Sequence, residues 1–284
     1  MEKFINSFNK FVVQRRFSKI PEPYPTNEIY NDYKSAKKYE ITLNPGDSLF
    51  IPAGWFHFVI SEKVDQNNNL NIAVSYFTQY DNCLDCQNFD SKHFNNLTIP
   101  ILNDKVDYNH YKKNSNPFVM KNNKNLFNVE QLKNILNNKE LIVTKSNNKL
   151  FASNYIKEHF PESCQEFTTT FDNFLRHGKK ENYYLIQSEL IPNIKKLISI
   201  PNFLINEIYA NFSLWINFGG IYSSLHYDLH NNILSQICGT KKILLFPPSE
   251  RNKMHLINDF DPKFLCQLQK VVFNKNNNID NTNY

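Results

Sequence analysis

No run in this chain approaches the ~18 to 20 consecutive apolar residues of a membrane-spanning helix, and residues 1–17 lack the apolar core and small-residue cleavage site of a signal peptide. The expectation is a chain with no membrane partner and an intracellular place, cytoplasmic or nuclear. Cysteine is thin: Cys83, Cys86, Cys164, Cys238 and Cys266 are an odd, scattered set, which excludes a disulfide framework and fits a reducing compartment. Cys83 and Cys86 form one CxxC with no second pair, and His93 completes no zinc spacing, so two loop thiols are the reading. Arginine is scarcer still, with Arg15, Arg16, Arg176 and Arg251 beside 28 lysines and 44 asparagines, a skew of the kind an AT-rich genome produces. Charge of one sign is not concentrated either. Lys+Arg of 32 against Asp+Glu of 27 gives +5, short of the basic signature of a nucleic-acid binder. Internal repeats are absent.

What is present is 284 residues with 41% hydrophobic content, enough to bury one large core or two small ones. Two β-patterned regions flank a polar stretch. In the first, residues 39–43 alternate, Asn44-Pro45-Gly46-Asp47 carries Pro and Gly where a type II turn favours them, and 48–51, 55–60 and 70–77 read as further strands. Residues 81–124 turn to Asn, Asp, Lys and Cys and read as a polar linker. Beyond it the spacing predicts a helix over 128–136 with Asn128 as N-cap, a strand over 141–144, a helix over 168–176, a strand over 183–187 and a helix over 194–198. Strands follow at 212–218, 224–229, 233–237 and 242–246, with Gly239-Thr240 as a hairpin turn between the last two. Residues 274–284 have the composition of a disordered tail. The fold class is mainly β with flanking helices, α+β.

The chemistry lies in Ser224-Leu225-His226-Tyr227-Asp228-Leu229-His230. On a strand His226, Asp228 and His230 share one face and the apolar residues the other. An imidazole and a carboxylate two positions apart, joined by one more His, make the facial triad of non-haem Fe(II) oxygenases. Alone, His-x-Asp is more often a solvated strand face or a hydrogen-bonded core histidine.

The longer stretch LWINFGGIYSSLHYDLHNNILSQICGTKKILLFPP at 214–248 closely resembles the JmjC and cupin-like hydroxylases, including the asparaginyl hydroxylase that acts on hypoxia-inducible factor. PGDSLFIPAGWFH at 45–57, followed by NIAVSYF at 71–77, resembles the other half of the same family, and weaker similarity runs through NPFVMK at 116–121 and through 183–187. The resemblance implies a double-stranded β-helix of the cupin or jelly-roll type. It implies Fe(II) held by His226, Asp228 and His57, with 2-oxoglutarate as cosubstrate. Lys241 matches the lysine for its distal carboxylate, Ser223 the hydroxyl residue for the same group, Asn232 a cosubstrate-pocket asparagine and Tyr184 a phenol donor; Ser75 falls where an Asn is common. Lys241 also admits a reading as an exposed hairpin lysine, and Tyr184 as a core aromatic. The activity implied is decarboxylation of 2-oxoglutarate to succinate coupled to hydroxylation of a C–H bond, with a protein or peptide substrate. Relatives also demethylate lysines or act on modified tRNA, and a homodimer is among the assemblies the family uses.

The order of the halves departs from the family, since the Pro-Gly-Asp half, 1–80, precedes the His-x-Asp half, 125–273. Three arrangements follow: a circular permutant, parts of two tandem domains, or halves exchanged between two chains. With 56 residues after Asp228 and 56 before His57, the spliced path has room for the family's intervening strands, and chain ends often lie together. The competing function is an inactive or fragmentary cupin-like binding module, and a third is a germin-like cupin in which His230 adds a ligand.

Overall fold

Residues 39–43 bury every second side chain, and the turn after them sets the direction of all that follows. Gly46 takes a φ of 94°, the value the third position of a type II turn requires. The Asp47 N–H donates to Asn44 O at 2.9 Å, closing the turn. A computed structural model of the chain describes residues 16–62, 70–78, 96–103, 107–121, 129–137, 139–147, 150–151, 164–189, 194, 204, 207 and 209–256.

The strands are β1 (Tyr39–Leu43), β2 (Ser48–Ile51), β3 (Phe56–Ser61), β4 (Asn71–Thr78), β5 (Ile101–Leu102), β6 (Phe118–Met120), β7 (Glu140–Ser146), β8 (Leu150–Phe151), β9 (Cys164–Thr170), β10 (Tyr183–Glu189), β11 (Tyr209–Asn217), β12 (Ile221–Ser223), β13 (His226–Tyr227), β14 (Asn231–Cys238) and β15 (Lys241–Phe246). They form two sheets. One runs β1-β15-β3-β12-β8 with β13 also on β3; the other runs β5-β6-β2-β14-β4-β11-β10-β7-β9. The cupin-type β fold is thereby shown, and strands of 39–78 and of 209–246 alternate in both sheets within one chain.

Burial divides into three layers. Leu49, Ile51, Ala73 and Leu234 of the larger sheet meet Ile41, Leu43, Ile243 and Leu245 of the smaller one, with Trp55 among them. This is the barrel interior. The outer face of the larger sheet, with Ile72, Val74, Leu214 and Ile216, carries the helices Val129–Leu136 and Phe171–Glu181 through Leu132, Leu136, Phe171 and Phe174. The outer face of the smaller sheet, with Phe56, Phe58, Leu244 and Phe246, is covered by Ile20, Tyr33 and Met254.

The two ends of the described chain are stitched together. Tyr39 at the start of β1 lies opposite Leu245 near the end of β15. Ser18 Oγ donates to Met254 O at 2.5 Å and the Lys19 N–H to His255 O at 2.9 Å.

Four sequence expectations change. Residues 168–170 are strand, not helix: three β-branched threonines suit the ladder with β7, and Thr170 Oγ1 instead caps the helix from 171 by accepting the Asn173 N–H at 3.2 Å. Gly239-Thr240 is no hairpin turn, because β14 and β15 lie in different sheets and the turn crosses between them. Gly239 suits the crossing with a φ of 72°, and the Thr240 carbonyl accepts Asn71 Nδ2 at 2.7 Å. The strand over 224–229 shortens to β13, since its residues leave the sheet after Tyr227. The polar linker 81–124 supplies β5, β6 and the helix Tyr108–Lys113, with Phe118, Val119 and Met120 buried on β2. Short apolar runs between Asn-rich segments had hidden them. The Asn128 cap, the helix over 194–198 beyond Ile194, Cys83, Cys86, Cys266, His93 and the 274–284 tail lie outside the described residues.

Candidate metal centre

Residue pairing brings the two halves to one point. His57 in β3 lies directly opposite His226 in β13, and the ring centroids are 4.3 Å apart. His57 Nε2 stands 3.7 Å from Asp228 Oδ2, and His226 Nε2 stands 3.8 Å from Asp228 Oδ1. One donor atom from each of the three lies within 4.8 Å of the others, the only such group among the described residues.

Both imidazoles are set to ligate through Nε2. His57 Nδ1 is 3.0 Å from Trp55 O and His226 Nδ1 is 2.8 Å from Ser224 O, so each Nδ1 donates its proton to a carbonyl and each Nε2 is turned to the carboxylate of Asp228. Burial and the neighbouring His57 push the His226 imidazole down to about 4, which keeps it neutral and ligand-ready near pH 7. At Asp228 burial acts to raise the carboxyl, but His57, His226 and Arg16 outweigh it and hold the group below the usual carboxylate range. Asn232 Nδ2 donates to Asp228 Oδ2 at 3.3 Å and orients it. Two imidazoles and one carboxylate are the donor set of a facial Fe(II) site.

The N-terminal segment, which the sequence reading passed over, walls this site. Phe17 stacks on His226 at 5.2 Å and 23°, and Arg16 Nη1 lies 3.7 Å from Asp228 Oδ1. One signal was available, because an arginine retained in a chain so rich in lysine is worth noting. His230 is exposed and outside the donor group.

The other expected residues divide. Lys241 is 1% exposed, not a surface lysine, and donates to Ser61 Oγ at 2.7 Å. Burial alone pushes its ammonium from 10.5 down to about 7. Tyr184 is buried beside Trp215, its hydroxyl raised by burial and bonded to Asn217. Ser75 is buried and accepts Trp215 Nε1 at 3.0 Å. Ser223 Oγ accepts the Val59 N–H at 3.1 Å, and Asn232 serves Asp228. Ser61 and Asn217, which the sequence reading did not single out, join Lys241 and Tyr184 in one cluster.

A family model described as a cupin-like domain matches residues 7–82 and 103–280. The chain belongs to that family. A putative JmjC domain-containing protein of Acanthamoeba polyphaga mimivirus is 24% identical over 292 residues, covering 93% of this chain and 42% of that protein, so the match takes in both motif halves. Lysine-specific demethylase 8 of Danio rerio is 26% identical over 111 residues, 36% of this chain and 27% of that protein. The tRNA wybutosine-synthesizing protein 5 of Gallus gallus is 54% identical over 39 residues, 14% of this chain and 12% of that protein. The chain spans less than half the length of each of these relatives. No solved structure matches it. No helix among the described residues is long and apolar enough to cross a membrane.

Proposed function

We propose that this chain is an Fe(II)- and 2-oxoglutarate-dependent oxygenase of the JmjC class, that it hydroxylates a protein side chain, and that its barrel is a circular permutation of the family's. The observation that carries the reading is the convergence of His57, His226 and Asp228 in the same barrel as a buried lysine whose nearest acidic partner is absent among the described residues. The donor chemistry fits ferrous iron, and the uncompensated ammonium fits the far carboxylate of a dicarboxylic cosubstrate.

Bound there, iron and 2-oxoglutarate would supply the oxidising chemistry with O₂. The chain's own residues do the rest. Trp55 O and Ser224 O fix the imidazole tautomers, and Asn232 holds the carboxylate in place. Phe17 covers one face of His226 and keeps water from it. Lys241 anchors the cosubstrate by charge without demanding a bidentate fit. The pairing of β1 with β15 and the bonds from Ser18 and Lys19 to Met254 and His255 support the permutation reading, because the junction between those two segments is where the cut must fall if the halves are exchanged in sequence.

The test is an anaerobic titration of the metal-free chain with Fe(II) and 2-oxoglutarate, following the metal-to-ligand charge-transfer absorption. Wild type is expected to show the band, and His57→Ala and His226→Ala each to lose it. A wild type without the band, or a band that survives His57→Ala, overturns the proposal and leaves a cupin-like binding module.

A further inference from the structure

Away from the metal ligands, the barrel interior holds a polar cluster with donors to spare. Ser61 ends β3 and Lys241 begins β15, and the two are cross-strand partners. Asn217 ends β11 in the facing sheet. Ser61 Oγ accepts from Lys241 Nζ at 2.7 Å and from Asn217 Nδ2 at 3.0 Å, while the Asn217 carbonyl accepts the Gly219 N–H at 2.8 Å.

A hydroxyl can accept twice and donate once. Both acceptor sites of Ser61 are taken, so its proton must point to a third group, and none of the described residues provides one. The ammonium of Lys241 has three N–H bonds and, among the described residues, only Ser61 to receive them. Buried donors without acceptors are rare in native proteins, and a cluster of them beside a buried cation is built for an anion. Ser223 does not share this property, since its hydroxyl accepts the Val59 N–H and faces Val59 O at 3.5 Å.

We propose that Ser61 is a cosubstrate-binding residue, its hydroxyl donating to the distal carboxylate of 2-oxoglutarate beside Lys241, with Asn217 as the positioning residue that turns that hydroxyl toward the ligand. The proposal rests on the oxygenase reading and deepens it. It makes the pocket selective for a dicarboxylic acid, because a ligand without the second carboxylate leaves two buried donors unmet.

The experiment measures binding, not turnover. Calorimetric titrations of the Mn(II)-loaded full chain use 2-oxoglutarate and, in parallel, oxalate, which keeps the metal-chelating end and lacks the distal carboxylate. Ser61→Ala is expected to weaken 2-oxoglutarate about 10-fold, the loss of one hydrogen bond to a charged group, and to leave oxalate within about 2-fold of wild type. Ser61→Thr and Ser61→Val provide a pair of equal shape, of which only Thr retains affinity for 2-oxoglutarate. Equal loss of both ligands in Ser61→Ala, or equal 2-oxoglutarate affinity in the Thr and Val variants, overturns the assignment while the oxygenase reading stands. A wild type that binds neither ligand overturns both.

Discussion

Replacing Lys241 by Met should make the unliganded protein more stable while abolishing the 2-oxoglutarate binding proposed above. The side chain is 1% exposed, and burial lowers its ammonium from 10.5 to about 7. A gap of about 3.5 between the unfolded and folded values corresponds to about 5 kcal/mol of native-state cost at any pH where both states hold the proton. Below about pH 7 that cost is present in full. Between about 7 and 10.5 the unfolded chain holds the extra proton, so stability rises with pH through that window, by about 1.4 kcal/mol per pH unit. Met keeps the length of the side chain and removes the charge, and losing the bond to Ser61 offsets roughly 1 to 3 kcal/mol of the gain. The net expectation is on the order of 3 kcal/mol at pH 6, or roughly 6 to 12 °C in Tm for a chain of this size. The assay is thermal unfolding of both proteins at pH 6 and pH 9 without ligand, followed by the 2-oxoglutarate titration. The gap should shrink markedly at pH 9. A variant that melts below wild type, or a gap equal at both pH values, would show that Lys241 is compensated in the unliganded protein and would remove the main reason for assigning it an anionic ligand.

Three other perturbations are as specific. Asn232→Ala removes the hydrogen bond from Asn232 Nδ2 to Asp228, and metal affinity should fall about 10- to 100-fold in a competition titration with a chelator, with little change in Tm. Gly178→Ala would place a methyl 2.1 Å from the Phe218 ring; the overpacking, about 1 to 3 kcal/mol, should exceed the ~1 kcal/mol that Ala gains in a helix, so urea midpoints should drop while metal binding is unchanged. Asp47→Asn breaks the pair with Lys121 at 2.6 Å; because Lys121 is 30% exposed, the loss is set at about 1 to 2 kcal/mol, read as a lower Tm with the charge-transfer band intact.

Most strands were legible because alternation is a local signal: Tyr39, Ile41 and Leu43 bury and Glu40 and Thr42 do not, whatever lies elsewhere in the chain. What local patterning could not carry is which sheet a strand joins. Gly239-Thr240 has the composition of a hairpin turn, yet β14 and β15 belong to facing sheets, and no residue within a few positions records that. The same limit explains the site. His226 and Asp228 were visible as neighbours, and His57 only through resemblance, because the 169 positions from it to His226 are spanned by β3 pairing with β13, a long-range event. Ser61 illustrates the sharper case. Four residues from His57 on a strand it shares that strand's face, but a serine there is unremarkable until Lys241 and Asn217 arrive from two other strands and occupy both of its acceptor sites. Its chemistry is a property of the assembled barrel, and the residues that create it are three strands from opposite halves of the chain. A module kept only for its outer surface has no need to bury a lysine among donors at about 5 kcal/mol. A pocket that must hold a dicarboxylate does, because the ligand's charge repays that cost only when it binds.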